Sequence, residues 1–308
     1  MRTAFIDTLF ELATQDERIT LVVGDLGFGV VNCFMKELPK QFVNAGIAEQ
    51  NMTGLAVGMA LSGKIVFTYS IGNFPTIRCL EQIRNDMCYH NANVKIVTVG
   101  GGMAYGSLGF SHHATEDLAI MRVMPNITVI APNDPVEAGF ATRAIIAHEG
   151  PCYLRLGRAG EPRILNKDVH FEIGKVITVR EGRDLTFVVC GGLLQNVLEA
   201  AERLSRKGKQ ARVLSMHTIR PLDRDAIFAA LRETAAIFTV EEHSITGGLG
   251  SAVAEVLMEN HEHAFKFKRI GLNENVCLVG DQEYLRSMHG LNGEGIFAAV
   301  ERALSLPN

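Results

Sequence analysis

The stretch KIVFTYSIGNFPTIRCLEQIRNDMCYHNANVKIVTVG, residues 64–100, sets two β-branched runs on either side of an amphipathic segment, TIRCLEQIRNDMCYH (76–90). Runs of Val, Ile, Thr and aromatic residues suit a pleated strand, and a helical segment between two of them suits the crossover that joins parallel strands. Working outward, the same kind of run recurs as ITLVVGD (19–25) upstream and as ITVIAP (127–132) and PCYLRLG (151–157) downstream. Short apolar runs alternating with longer helical patterns predict a mostly parallel sheet covered by helices. Among those helices, AEQNMTGLAVGMALSG (48–63) carries Gly54, Ala56, Gly58 and Ala60, small residues that let it approach a neighbour closely. A first α/β domain is expected over residues 1–163.

Residues 164–183 (ILNKDVHFEIGKVITVREGR) are polar, with isolated apolar residues and Gly174 and Gly182, and read as a linker with room for one β-ribbon. Beyond it the alternation restarts: DLTFVVCGG (184–192), QARVLSM (210–216) and AIFTVEE (236–242), separated by helical patterns through EAAERLSRKG (199–208) and RDAIFAALRE (224–233). The fold class is therefore α/β, two consecutive α/β domains, the second smaller and spanning 184–308.

At 308 residues, 47% hydrophobic and 21% charged, the chain can bury a large core. A formal charge of -4 gives no electrostatic reason to expect nucleic acid or an anionic membrane as partner. Cys33, Cys79, Cys88, Cys152, Cys190 and Cys277 are scattered without a CxxC pair, which suggests neither a disulfide framework nor a zinc knuckle and fits a reducing, cytoplasmic setting. The N-terminal MRTAFIDTLFELATQDER is acidic from Asp7 onward, unlike a signal sequence. No apolar run reaches the roughly 18 to 20 residues of a membrane helix, so a soluble protein is expected.

Three glycine clusters, GDLGFG (24–29), GGG (100–102) and GGLG (247–250), contain neither GxGxxG nor GxxxxGK[ST], and each alone reads as a tight turn between strand and helix. GIAEQNM (46–52) is more specific, because it sets Glu49 at the start of the small-residue helix inside a hydrophobic segment. A carboxylate there is costly unless it is paired or has a chemical task, although a simple helix-N-terminal carboxylate fits equally well. The pair His112–His113 has no Asp, His or Cys at ligand spacing, so no metal site is assigned to this chain.

Taken in order with Glu49, the segments FTYSIGNFPTIRCLEQIRND (67–86), GGGMAYGSLGFSHHATEDLAIMR (100–122) and MPNITVIAPND (124–134) resemble the pyrimidine-binding domain of the transketolase family. The resemblance is closest to the split bacterial and archaeal transketolases, whose C-terminal half is a separate polypeptide. Residues 184–308, with TVEEHSITGGLGSAVAEVL (239–257), resemble the transketolase C-terminal domain.

The resemblance implies thiamine diphosphate as cofactor. In it Glu49 hydrogen-bonds N1' of the aminopyrimidine and helps activate the cofactor, and Phe74 stacks on that ring, with Ile71 and Ile77 standing where the family has two further aromatics. His112 takes the place of the active-site histidine near the substrate carbonyl, and His113 replaces a common glutamine, as a second polar wall or a surface residue. Arg2 and Arg158 align with arginines that grip a sugar phosphate, Arg155 being the alternative to Arg158, and a guanidinium fork suits sulfonate or carboxylate equally. Asp25 matches an acidic residue at the end of the family's first strand, close to the subunit interface, and is grouped with the cofactor-binding residues.

Departures from the family pattern are also informative. Leu108 stands where an acidic residue helps select hydroxyl stereochemistry, Gly100 where many members have a histidine that contacts the donor, and Gly29 near a phosphate-binding serine. These place the usual pentose-phosphate substrates in question. No GDG motif occurs, so the Mg²⁺ ligands and the diphosphate end are expected from a partner, the N-terminal transketolase subunit, with self-association into a heterotetramer. The expected activity is transfer of a two-carbon ketol unit from a ketose to an aldose. Enzyme alternatives on the same fold are a 1-deoxyxylulose-5-phosphate synthase-like subunit or the β-subunit of a 2-oxo-acid dehydrogenase E1; the non-enzyme alternative is a catalytically silent regulatory homologue.

Overall fold

The computed structural model describes residues 1–260, 265–273 and 278–305. Six strands, β1 (Ile19–Val23), β2 (Phe42–Asn44), β3 (Ile65–Ile71), β4 (Val94–Val99), β5 (Thr128–Ile130) and β6 (Cys152–Leu156), lie parallel in the order β5-β6-β4-β3-β1-β2. The stretch 64–100 is thus a β-crossover-β unit, with Val66 opposite Val94 and Ile71 opposite Val99. Its crossover is less regular than the periodicity predicts: a 3₁₀ turn (Ile77–Cys79), α4 (Leu80–Gln82) and a π-helical turn (Ile83–Cys88) follow one another. The wider π turn lets the adjacent Met87 and Cys88 both face the core, where both are buried.

Alternation along β1 shows why its sequence is apolar at every position but Thr20. Ile19, Leu21 and Val23 join the core under α1 (Arg2–Ala13), α2 (Asn32–Glu37) and α6 (Pro135–Ala147), and Val22 joins the opposite core under α3 (Glu49–Leu61) and α5 (Asp117–Val123). A strand covered on both faces has no solvent side to make polar. The start of α6 is fixed by Asp134, whose Oδ1 accepts from the amides of Val136 and Glu137, both at 2.9 Å, with Pro135 as the first helical residue. Its Oδ2 accepts from the amides of Ile164 and Leu165, which ties down the chain leaving the first sheet.

Farther on come β7 (Ile177–Arg180), β8 (Leu185–Val189), β9 (Ala211–Ser215), β10 (Thr218–Arg220), β11 (Ala236–Ser244) and β12 (Lys266–Leu272). All but β10 form a second sheet in the order β12-β11-β8-β9-β7, parallel except for the antiparallel edge β7. Part of the stretch read as a linker therefore belongs to the second sheet. Its strand is polar because an edge leaves part of its surface to solvent. β10 crosses back and pairs antiparallel with β5, so the first sheet has seven strands and the second half of the chain supplies one of them. On the second sheet α7 (Leu194–Arg206) and α11 (Gly293–Ser305) pack together on one face, with α10 (Gln282–Met288) beside them, while α8 (Arg224–Glu233) and α9 (Leu249–Asn260) cover the other. That second face and the α3/α5 face of the first sheet form one continuous apolar cluster.

Cys33, Cys79, Cys88, Cys152 and Cys190 are free thiols; Cys277 lies outside the described residues. Among the described residues no helix is long and apolar enough to cross a membrane.

Candidate active site

Glu49 is the first residue of α3, and it is buried at 2% exposure beside the carboxyl ends of β1 and β3. A β-carbon added to Gly24, just past β1, would lie 3.5 Å from Glu49 Cγ and Oε1, so the strand-to-loop turn passes close against the carboxylate. In open parallel sheets the carboxyl ends of the strands are where ligands bind. The carboxylate has two partners: Ser70 Oγ donates to Oε1 at 3.3 Å, and Arg78 Nη1 donates to Oε2 at 2.9 Å.

Arg78 also lies over the ring of Phe74, its Cζ 5.0 Å from the centroid, and on Phe74 the ring of His112 packs edge-on at 5.3 Å. The structure thus gathers Glu49, Phe74 and His112 at one place. Ile71 ends β3 half-buried, Ile77 is 45% exposed on the 3₁₀ turn after Phe74, and Leu108 is 54% exposed on a 3₁₀ turn ahead of His112. His112 is half-buried, its Nδ1 3.0 Å from Ser111 Oγ.

The segment carrying His112 is held by close backbone approach. A β-carbon on Gly72 would come within 2.4 Å of Ala114 Cβ, and Gly102 and Ala114 exchange backbone hydrogen bonds at 2.9 and 2.8 Å. Met103 N–H donates to Glu242 Oε1 at 2.6 Å, which anchors the same segment to β11 of the second sheet. Glu242 is in turn ion-paired to Arg286.

His113 is not a surface residue. It is buried with both ring nitrogens unpartnered among the described residues, its ring edge-on to Phe110. Arg158 is exposed and stacks on Tyr105, Cζ to centroid 5.2 Å. Arg2 is half-buried with its Nε unpartnered among the described residues, and with Tyr105 it acts electrostatically on Tyr69, whose hydroxyl burial pushes well above its ordinary range. Asp25, at φ 53, pairs with Asn44, which donates to its Oδ1 at 2.9 Å.

The structure engages Arg155, the alternative to Arg158, inside the protein. It is buried at 2% exposure, its Nε donates to Asp117 Oδ2 at 2.8 Å, and its Nη2 donates to the carbonyls of Ala114 and Glu242 at 2.8 and 2.9 Å. That guanidinium ties the first sheet to the second. Although burial disfavours its charge, the adjoining Asp117 holds its pKa above the ordinary arginine value.

Sequence reasoning missed Arg78, Ser70 and Tyr105. The available signal for Arg78 was a cation four residues after Phe74, within reach of a buried acid that needed a partner. The chemistry of the pocket fits an aminopyrimidine: a buried carboxylate to accept from a ring N–H, an aromatic face beside it and aliphatic walls. Among the described residues no group of three or more His, Cys, Asp or Glu side chains could hold a metal ion.

Comparison with known proteins gives the family. The model of the transketolase pyrimidine-binding domain matches residues 1–161, and that of the transketolase C-terminal domain matches 174–296. The chain is 41% identical over 297 residues to an apulose-4-phosphate transketolase subunit of Phocaeicola vulgatus, covering 96% of this chain and 94% of that one. It is 36% identical over 309 residues to a 6-deoxy-6-sulfo-D-fructose transketolase subunit of a Clostridium species, covering 100% and 95%. A solved split-gene transketolase, an inactive β4 tetramer, superposes with a TM-score of 0.89 at 40% identity, covering 100% of this chain and 98% of that one. With both domains matched and whole-length relatives among the separate subunits, the chain belongs to the transketolase family as the subunit that carries its pyrimidine-binding and C-terminal domains.

Proposed function

We propose that this chain, with a partner subunit that supplies the diphosphate-binding half and its Mg²⁺ ligands, forms a transketolase. The enzyme transfers a two-carbon ketol unit from an anion-bearing ketose to an aldose. The observation that carries the reading is the buried Glu49 carboxylate, set beside the Phe74 ring and within one cluster with His112.

Thiamine diphosphate, when bound, supplies the carbon nucleophile that cleaves the bond beside the ketose carbonyl. In this reading the chain's residues do the rest. Glu49 holds a proton at N1' of the aminopyrimidine, Phe74 stacks on that ring, and Ile71 and Ile77 keep water from it. His112 donates or accepts a proton at the substrate's carbonyl oxygen. Arg158 and Arg2 hold the distal anion, and Asp25 belongs to the side facing the partner. His113, buried next to His112 in the chain, supports that segment rather than meeting solvent.

Leu108 and Gly100 leave the sugar-reading side of the pocket without the family's acidic and imidazole groups. Relatives matched over nearly their whole length are named for apulose 4-phosphate and 6-deoxy-6-sulfo-D-fructose, so these two ketoses are better first substrates than a common pentose phosphate. Two copies of each subunit are the proposed assembly, in a cytoplasmic setting.

The test is co-expression with a co-encoded chain that carries GDG and a downstream Asn, followed by ketol-transfer assays on phosphorylated and sulfonated ketoses. Glu49→Gln should fold and lose about 10²- to 10⁴-fold in turnover of the complex, the usual worth of a positioned acid-base group. Transfer by this chain alone would defeat the two-subunit reading, and full activity of Glu49→Gln would remove Glu49 from its role.

A further inference from the structure

We propose that this chain carries a second ligand site, a cavity between its two sheets that takes a small polyol phosphate. The oxyanion is held by Arg155 and the start of α7, and the hydroxyls by the amide and carboxylate side chains around them. None of Glu49, Phe74, His112, Arg2 and Arg158 lines this cavity, so the inference stands apart from the proposed reaction centre.

The cavity measures about 560 Å³, a volume in the range of small-molecule sites. It lies past the carboxyl ends of β6 and β8: Leu156 and Gly157 line it from the first sheet, Gly191 and Gly192 from the second. In the second sheet β8 stands between β9 and β11, so the chain order reverses there. The crevice at such a reversal is where open parallel sheets bind ligands.

Two independent features aim positive charge into it. Arg155 is 2% exposed; its Nε and Nη2 are engaged by Asp117, Ala114 and Glu242, while its Nη1 takes no acceptor among the described residues. That nitrogen lies against Gly191, where an added β-carbon would come within 2.8 Å of it, and both residues line the cavity. A buried guanidinium N–H without an acceptor is unfavourable, and an oxyanion satisfies it. Arg286, the other guanidinium at the cavity, is paired with Glu242. The second feature is α7, a 13-residue helix with no side-chain cap and no acidic residue in its first turn. Gly191 and Gly192, at φ 73 and 92, lead into it, and the amides of Leu194, Gln195 and Asn196 take no acceptor among the described residues. Uncapped N–H groups and the helix dipole favour an anion there.

The class of ligand follows from the lining. A tetrahedral phosphate has acceptor oxygens for a guanidinium and several amides at once, more than a planar carboxylate offers. Beyond the anion end the walls are neutral or acidic: Gln195, Asn196 and Gln282 bring side-chain amides, and Glu161, Glu199 and Glu283 bring carboxylates. Carboxylates repel a second anionic group and accept from hydroxyls, which selects a monophosphate on a hydroxylated carbon chain over a bisphosphate. Because Arg155 belongs to the first sheet and α7 to the second, the bound molecule pins the two domains together.

The experiment is calorimetric titration of ribitol 5-phosphate, ribitol and inorganic phosphate into the two-subunit complex, for the parent, Asn196→Asp, Gln195→Lys and Arg158→Ala. Ribitol 5-phosphate has no carbonyl and is not turned over. The parent is expected to bind it more tightly than inorganic phosphate, to ignore ribitol, and to melt at a higher temperature with it bound. Asn196→Asp sets a negative charge in the first turn of α7, which suits the free helix but repels a bound phosphate. Its Kd should rise about tenfold, with ketol transfer unchanged and the ligand-free thermal midpoint level or higher. A merely structural role for Asn196 would lower that midpoint instead. Gln195→Lys, of opposite sign, should tighten binding. Arg158→Ala should leave this Kd as it is, and an equal loss in Arg158→Ala and Asn196→Asp would place the molecule at the substrate's anion end and defeat the proposal. Absence of ribitol 5-phosphate binding in the parent, or a Kd that neither Asn196→Asp nor Gln195→Lys moves, overturns it as well. Failure of the ketol-transfer reading leaves all of these measurements standing.

Discussion

Glu137 offers a stability test with a sign that the structure sets in advance. It lies in α6 with no exposure; its Oε2 accepts from the Asn133 amide at 2.7 Å and its Oε1 accepts from Ser215 Oγ, a residue of the second sheet. Asn133 extends the link, donating from Nδ2 to the Val189 carbonyl at 3.0 Å and to Ser215 Oγ at 2.7 Å. Burial pushes the Glu137 carboxyl up to about 7 from an ordinary 4.5. The folded state therefore holds this proton more tightly than the unfolded state. Its contribution is complete below about pH 4.5 and is lost as pH rises through about 7, a loss of about 3 kcal/mol at about 1.4 kcal/mol per unit. Glu137→Gln imitates the protonated group, with an oxygen for the Asn133 amide and an NH₂ aimed at Ser215. Thermal midpoints of parent and variant in matched buffers should coincide near pH 5 and separate near pH 8, with Glu137→Gln higher by roughly 5 to 10 °C. The same gap at both pH values, or a more stable parent at pH 8, would refute the reasoning.

Asp117→Ala strands the buried Arg155 guanidinium and should cost about 3–5 kcal/mol in denaturant unfolding; a loss under about 1 kcal/mol would mean that this buried pair is not what holds the region. His217 stacks on Phe171 at 4.1 Å, and burial pushes its pKa down to about 4 from 6.5. Its contribution is complete above about pH 6.5 and lost as pH falls through about 4, about 3 kcal/mol in all, so His217→Phe should flatten the acid side of the stability profile measured by melting. Gly72→Ala drives a methyl group into Ala114 and should destabilise by about 1–3 kcal/mol while lowering turnover of the complex through the displaced His112 segment; wild-type stability with wild-type turnover would show that the loops adjust freely.

The layered sheets were legible because strands buried on both faces are written almost entirely in apolar residues, as in ITLVV and VKIVTV. What escaped was pairing that leaves little hydrophobic trace. β7 is an edge with exposed and half-buried positions, and β10 contributes only Thr218–Arg220 to a sheet whose other strands lie far earlier in the chain. Glu49, Phe74 and His112 were legible as a spaced set, since each stands in a segment with its own pattern. The setting of Arg155 was not legible. In CYLRL all five positions are buried, and the charge is tolerated because Asp117, from a different element, lies against it. Sequence spacing cannot show a counter-ion 38 residues away that only folding brings within 2.8 Å.

Gly100 carries the same lesson into the substrate side of the pocket. As a letter in the sequence it signals a missing imidazole, and with it a missing contact. In the folded chain a β-carbon at Gly100 would fall 2.2 Å from the Tyr105 ring, so the space above this glycine is filled by a side chain from five residues further along. Glycine is required there for two reasons, the φ of +85 and the ring itself. The same ring carries the Arg158 guanidinium on its face. A substitution that restores a histidine at Gly100 would therefore not restore the family's contact. It would expel Tyr105 and release Arg158 with it, so Gly100→His should weaken binding of an anionic ketose by more than Tyr105→Ala does, and equal KM values for the parent and Gly100→His would show that Tyr105 does not hold that wall.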